Sequence, residues 1–245
     1  MRRSWSPHWT RDCPVLEAIA SSARRITSVA QQLVGAQRWV IYSVGADGNA
    51  DKVLWAQEDE RRCAAYFSGY HRDDPLAPHR IARVQSATGV ACLSQRLAHG
   101  ADPDARYRNG FMQPYLLSDA LEMLLPLHAG ASLGISLLRD APWPVYTRAQ
   151  VQALADFHAL ASQLLRMQAR EADPEAAARE RLALRWPQLT ERECDIALAV
   201  AGGMPNKLAA RHAGMSPSTV KTHLHSIFRK CGIVNRSQLA RLILG

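Results

Sequence analysis

The chain reads as two folds in series. An α+β sensor domain, an antiparallel sheet flanked by helices, is followed by an all-α, four-helix domain of helix-turn-helix type. Three observations lead to this reading. First, strand-like runs within residues 1–170 lie between a first and a last amphipathic helix, which suits helices packed on an antiparallel sheet. Second, the last sixty residues break into short helical segments at Gly202-Gly203 and at Gly214-Met215-Ser216-Pro217. A short helix, a tight turn and then a basic helix form the shape that lays side chains into the major groove of DNA. Third, residues 181–245 hold ten Lys and Arg against three acids, so +7 of the chain's +8 sits there and +1 is left for residues 1–180. A polyanion partner, double-stranded DNA, is therefore expected for the C-terminal part only.

Taken in order, residues 15–34 place Leu16, Ile19, Ala20, Ala23, Ile26, Ala30 and Leu33 at helical intervals. Trp39–Val44 is rich in β-formers, Ala46-Asp47-Gly48-Asn49 reads as a turn, and Lys52-Val53-Leu54-Trp55 as the returning strand. Residues 58–70 read as a helix stopped before Asp73-Asp74-Pro75. Gly89–Leu93 and Gly134–Arg139 read as strands, the second ended by Pro142-Trp143-Pro144. From Thr147 to Arg170 the pattern is helical, with capping-box spacing at Thr147 and Gln150 and with Val151, Leu154, His158, Ala161 and Leu165 on one face. Phe157, Leu160, Leu164 and Met167 make this helix apolar on a second side. That favours an alternative in which the domain is a dimerisation or protein-interaction module without a ligand.

The segment 171–187 is small, acidic and interrupted by Pro174, and no ideal helix runs through a proline without a break. It is the expected linker between a sensor or dimerisation domain at 1–170 and a DNA-binding domain at 188–245.

In the C-terminal domain, Thr190 and Glu193 have capping-box spacing at the start of a helix over 191–201. A second helix over 206–213 has small apolar positions, Ala209, Ala210 and Ala213, which let the next helix approach closely. Ser216 caps the third helix and Pro217 takes its first position, where a missing N–H costs nothing. Val220, Leu224, Ile227 and Cys231 form its buried stripe. Lys221, Thr222, His225 and Arg229 lie away from that stripe and are the candidates for the groove. Lys221 can donate to guanine O6 and N7, Thr222 can offer a hydroxyl or touch a thymine methyl, and His225 can donate to an acceptor on a base edge. Ser218, Thr219, Lys207, Arg229 and Lys230 are placed for phosphates, which set register rather than sequence. A fourth helix follows Asn235, with Leu239, Leu242 and Ile243 on one face.

Several classes are excluded. No apolar run reaches the roughly 18–20 residues that a membrane span needs. Met1-Arg2-Arg3-Ser4-Trp5 leads into no apolar stretch, so no secretory signal is read and a cytoplasmic location is expected. Five scattered cysteines without a C-x-x-C pair argue for reduced thiols rather than a disulfide framework or a zinc site. His223 and His225 sit two apart on one helix and point in different directions, so with Cys231 they hold no metal. No P-loop, receiver-type acid pair or nucleophile–base constellation is visible. No catalytic residue and no cofactor are expected, and the chain is not read as an enzyme.

The C-terminal residues Leu189-Thr190-x-Arg192-Glu193, Ala201-x-Gly203, Asn206-Lys207, Ala210, Gly214-Met215-Ser216-Pro217-x-Thr219-Val220-Lys221-x-His223, Ile227, Lys230, Gly232-Ile233 and Arg236-x-x-Leu239 resemble the LuxR-type (GerE-like) helix-turn-helix that ends many bacterial transcription regulators. The sequence departs from that pattern at Pro205, Ala209, Ala213 and Cys231. The resemblance implies a transcription factor that binds near-palindromic sites as a homodimer, with RNA polymerase as a further partner. Upstream, Tyr66-Phe67-Ser68-Gly69-Tyr70-His71-Arg72-Asp73-Asp74-Pro75-Leu76 is similar to the tyrosine-then-Asp-Pro stretch of autoinducer-binding domains. That similarity implies that Tyr70 and Asp74, with Tyr66 one helical turn earlier, contact an autoinducer-like small molecule in a quorum-sensing-like manner. The fifteen residues after Asp74 hold no tryptophan, where that family places one. A PAS/GAF-like sensor with a different ligand, or with none, fits the pattern equally.

Overall fold

The computed structural model describes residues 14–45, 47–81, 88–97, 105–127 and 131–244. The opening residues Met1–Trp5, Ala46 of the expected turn, and Cys13, His8, His99 and His128 lie outside them. Two compact units, Met1–Ala172 and Asp173–Gly245, divide the chain.

The first unit runs α1 (Pro14–Val34), β1 (Arg38–Val44), β2 (Ala50–Gln57), α2 (Glu60–Ser68), α3 (Pro78–Ile81), β3 (Val90–Cys92), α4 (Leu93–Leu97), α5 (Ala105–Tyr107), β4 (Leu117–Pro126), β5 (Ser132–Asp140) and α6 (Arg148–Ala172), with a π-helical turn over Arg108–Met112. The five strands form one sheet in the order β2-β1-β5-β4-β3, with every neighbouring pair antiparallel. The two-residue period of a strand gives this sheet two different faces. Ile41, Leu121, Met123, Leu125, Leu133, Ile135 and Leu137 share a core with Ile19, Ala23 and Ile26 of α1 and with Leu154, Ala161 and Leu165 of α6. The opposite face carries Val40, Tyr42, Ala120, Glu122, Ser136 and Leu138, and it floors a cavity.

β4 was not expected from the sequence. Its run of Leu, Ala, Met and Glu has no strand propensity to speak of, and tertiary pairing decides the matter. The strand lies between β5 and β3 and is buried on both faces. Asp119, itself fully buried, anchors it. Its carboxylate accepts from Ser94 N, Ser94 Oγ and Tyr146 N at 2.8–2.9 Å, which ties α4 and the approach to α6 onto the strand. Other boundaries moved less. The strand expected over 89–93 ends at Cys92, because Leu93 opens α4. α2 begins only at Glu60, with Asp59 as its cap accepting from Arg61 N. At α6, Gln150 N donates to Thr147 Oγ1 and Thr147 N to Gln150 Oε1, a reciprocal cap.

The second unit comprises α7 (Pro174–Arg185), α8 (Glu191–Ala201), α9 (Asn206–His212), α10 (Pro217–Cys231) and α11 (Arg236–Leu244). The expected linker 171–187 is therefore corrected, since α6 runs to Ala172 and α7 fills most of the rest. Pro174 stands at the first position of α7, where it is tolerated, and Asp173 caps the helix by accepting from Ala176 N. Ala178 and Leu182, one turn apart, are buried with Ile196, Val200, Leu224 and Leu239. The four helices expected over 188–245 are α8–α11, and α7 joins their core as a fifth. Among the described residues no helix is long and apolar enough to cross a membrane.

Candidate nucleic-acid interface and cavity

Local chemistry sets the position of α10. Gly214 adopts φ +61° in the turn before it, a left-handed conformation that favours glycine. Ser216 Oγ accepts from Thr219 N at 3.1 Å, and Pro217 starts the helix. Ala209 and Ala210 of α9 are buried against the same core as Val220, Leu224 and Ile227. This seating leaves Lys221, Thr222, His225 and Arg229 exposed. At about 100° per residue these four fall within an arc of about 100°, on the side away from the buried stripe. Thr222 Oγ1 donates to Ser218 O at 3.2 Å, which fixes its methyl group and leaves a lone pair on its oxygen. Ser218 and Thr219 are exposed at the helix start, where unpaired N–H groups and the helix dipole favour an anion. Lys207 is exposed on α9. From Asn206 to Cys231 the chain contains no acid, so nothing on these two helices offsets their positive charge.

Lys230 departs from its expected phosphate role. Its Nζ lies 2.6 Å from Glu193 Oε2. Glu193 is buried and also accepts from Thr190 N (2.8 Å) and Ser226 Oγ (2.8 Å). Burial pushes the Glu193 carboxyl up, but the bonds from Lys230, Thr190 and Ser226 together outweigh it and hold the group down to about 2. The capping acid of α8 is therefore also the bolt that fastens α10 to α8. A sequence signal for this existed. Lys230 is nine residues from Lys221, about half a turn out of phase with the groove-facing arc.

The N-terminal unit encloses a cavity of about 70 Å³ between the sheet and the α2–α5 side, room for more than one water. Val40, Tyr42, Ala120, Glu122, Ser136 and Leu138 floor it, and Arg62, Tyr66, Phe67, Asp74, Tyr107 and Phe111 are among its walls. Strand register explains the floor. Tyr42 lies opposite Gly134 on β5, and a Cβ there would sit 2.2 Å from the tyrosine ring. Ser136 lies opposite Glu122. Of the three residues expected to meet a ligand, Tyr66 and Asp74 are in the wall and bond to each other, with Tyr66 Oη donating to Asp74 Oδ2 at 2.6 Å. Leu76 N donates to Asp74 Oδ1 at 2.7 Å. Tyr70 is not in that wall. Its ring packs on Phe111 and against Gly110, where a Cβ would sit 2.7 Å from the ring.

Sequence reasoning missed Glu122. Tyr42 Oη donates to one of its oxygens (2.7 Å) and Ser136 Oγ to the other (2.6 Å). Burial pushes this carboxyl up to about 8, with the charge of Asp74 adding to the rise and the two hydroxyl bonds opposing it. The period-two pattern Ala120, Glu122, Leu124 would have flagged an acid on a buried strand face, had the strand been recognised. At one end of the cavity Arg62 bonds to Asp140 (2.8 Å), Glu58 (3.3 Å) and Tyr115 O (2.9 Å), and Arg38 bonds to the same two acids.

Residues 187–243 match the family model described as bacterial regulatory proteins, luxR family. Over 215 residues the chain is 30% identical to the monoamine regulon transcriptional regulator of Klebsiella aerogenes, which covers 88% of this chain and 87% of that one. It is 42% identical over 53 residues to the nitrate/nitrite response regulator protein NarL of Escherichia coli K12, covering 22% of this chain and 24% of that protein. A crystal structure of Escherichia coli SdiA aligns over 96% of this chain and 91% of that one, at 17% identity and a TM-score of 0.45.

Proposed function

Because the chain belongs to the luxR family of bacterial regulatory proteins and is a transcriptional regulator rather than an enzyme, we propose that α10 reads operator DNA under the control of a small-molecule signal held in the N-terminal cavity. The observation that carries the DNA reading is the exposed arc Lys221, Thr222, His225 and Arg229 on an acid-free pair of helices. In this reading Lys221, Thr222 and His225 meet base edges. Ser218, Thr219, Lys207 and Arg229 hold phosphates. Lys207→Ala should weaken binding to all duplexes alike and reduce the slope of log affinity against log salt by about 1. An unchanged slope in fluorescence anisotropy would remove Lys207 from the phosphate set.

The signal reading rests on a walled cavity in which apolar and aromatic side chains surround a few convergent polar groups, the usual build of a small-molecule site. A ligand acts only through differential affinity for the two states of the regulator. The name of the Klebsiella relative refers to a monoamine regulon, so small amines belong among the signals to try. Heating the purified full chain with small-molecule cell extract should raise its melting temperature by mass action. No reproducible shift at any extract concentration would favour the second reading, a dimerisation module without ligand.

That second reading has its own support. Leu160, Leu164 and Met167 of α6 are exposed, Leu160 at 69%, as are Val29 and Leu33 of α1. We assign this apolar face to homodimerisation in either case, in the cytoplasm, with RNA polymerase as the regulator's downstream partner.

A further inference from the structure

The hydroxyl of Thr222 has already spent its hydrogen. A threonine hydroxyl has one hydrogen to donate and two lone pairs, and Thr222 Oγ1 gives that hydrogen to Ser218 O at 3.2 Å. Ser218 lies one turn back on α10, so the bond draws the oxygen against the helix backbone. Threonine in a helix has a choice of rotamers, and a bond to the carbonyl four residues back selects one of them. The Cγ2 methyl is then the group that Thr222 turns away from its own backbone. The residue is exposed and lies in the first half of α10, the end of a recognition helix that meets base edges in the major groove. Lys221 and His225 share the exposed arc with it, and both are longer. A side chain as short as threonine touches only what the helix itself is pressed against.

The bases differ in what they offer to such a group. Guanine presents two acceptors in the major groove, N7 and O6, and a hydroxyl whose hydrogen is engaged has nothing to give them. Adenine and cytosine present an amino group, N6 or N4. An amino group needs an acceptor turned toward it, and pressed against a methyl group it loses its water without compensation. Thymine alone presents a methyl group, at C5. We propose that Thr222 is a specificity-determining residue of α10 that selects thymine through a contact between the two methyl groups, and that its hydroxyl takes no part in choosing the base. This rests on the reading of α10 as the helix that meets base edges, and it names the base that one of its residues meets. Lys221, a pure donor, reads acceptors, while Thr222 reads the apolar feature of the same groove.

The test removes single methyl groups from the DNA and from the protein. Uracil pairs as thymine does and lacks only the C5 methyl. In the duplex that the full chain selects from a randomised library, each thymine is replaced in turn by uracil, and affinity is read by fluorescence anisotropy. One thymine per half-site should be sensitive, its replacement weakening binding about fourfold, as the loss of one buried methyl group implies. With a cytosine–guanine pair at that position, 5-methylcytosine should bind more tightly than cytosine. Two substitutions at this exposed position separate methyl from hydroxyl. Thr222→Val keeps a methyl group and should keep the preference for thymine over uracil. Thr222→Ser keeps the hydroxyl and should bind the two duplexes equally. The proposal is overturned if no thymine is sensitive to loss of its methyl group, if Thr222→Ser retains the sensitivity, or if Thr222→Val loses it. A selected motif with any of these results leaves α10 as the reader and removes only the role of Thr222. If no motif is selected, the reading of α10 falls and this assignment falls with it.

Discussion

Lys221 and Lys230 share a helix and a charge, but their surroundings separate them. Lys221 stands exposed on the arc that faces away from the core, whereas Lys230 is half-buried on Glu193. Removing Lys230 should therefore act on stability rather than on DNA sequence preference, because it strands a buried carboxylate. The pH dependence follows from the same pair. Glu193 sits near 2 in the folded protein against an ordinary 4.5. A depressed carboxyl contributes stability above its unfolded value and loses that contribution as pH falls toward its folded value. The stability gap between the unsubstituted protein and Glu193→Gln should be full above about pH 4.5 and close progressively toward pH 2. Urea titrations across that range check this, and a gap constant with pH would mean that the charge on Glu193 contributes nothing to stability.

At the scale of elements, α7 is where composition misled and packing decided. A small, acidic, proline-containing stretch looks like a tether, yet Asp173 caps it, Pro174 starts it, and Leu182 reaches the core shared by α8, α10 and α11. Leu182→Ala should lower the stability of this unit by about 2–5 kcal/mol, the usual range for a buried leucine. A loss within error in thermal unfolding would return α7 to the role of a linker. The contrast with α8–α10 is instructive. Those helices were legible because their boundaries are written in local chemistry: the Thr190 box, the Ser216 cap, the Pro217 start and the buried i, i+3, i+4 stripe. β4 was not legible because strand pairing is non-local and its Leu, Met and Glu residues are equally at home in a helix. Glu122 was lost with the strand that carries it. The resemblance pointed to Tyr70 and Asp74, with Tyr66 one helical turn earlier; of these, Tyr66 and Asp74 line the cavity, while Tyr70 turns toward Gly110 and Phe111. Spacing alone cannot say which of two tyrosines a loop will turn inward.

On the scale of the whole molecule, the two units divide the chemistry cleanly. The N-terminal unit, Met1–Ala172, has 19 Lys and Arg against 16 acids (+3), and the much shorter C-terminal unit, Asp173–Gly245, has 11 against 6 (+5), with no acid on α9 or α10. Control of one by the other needs only a signal that binds two states of the regulator unequally. A homodimer presents two copies of α10, and their separation must match one helical turn of DNA or a multiple of it.

Sequence-specific regulation requires that α10 read bases. The direct measurement is selection of bound sequences from a randomised duplex library by the full chain, run in parallel with Lys221→Ala and sequenced. A defined motif should emerge for the unsubstituted protein, and Lys221→Ala should cost about 1–3 kcal/mol on it and blur one position per half-site. If no motif is enriched, or if Lys221→Ala weakens every sequence equally and leaves the motif intact, α10 does not read bases through Lys221.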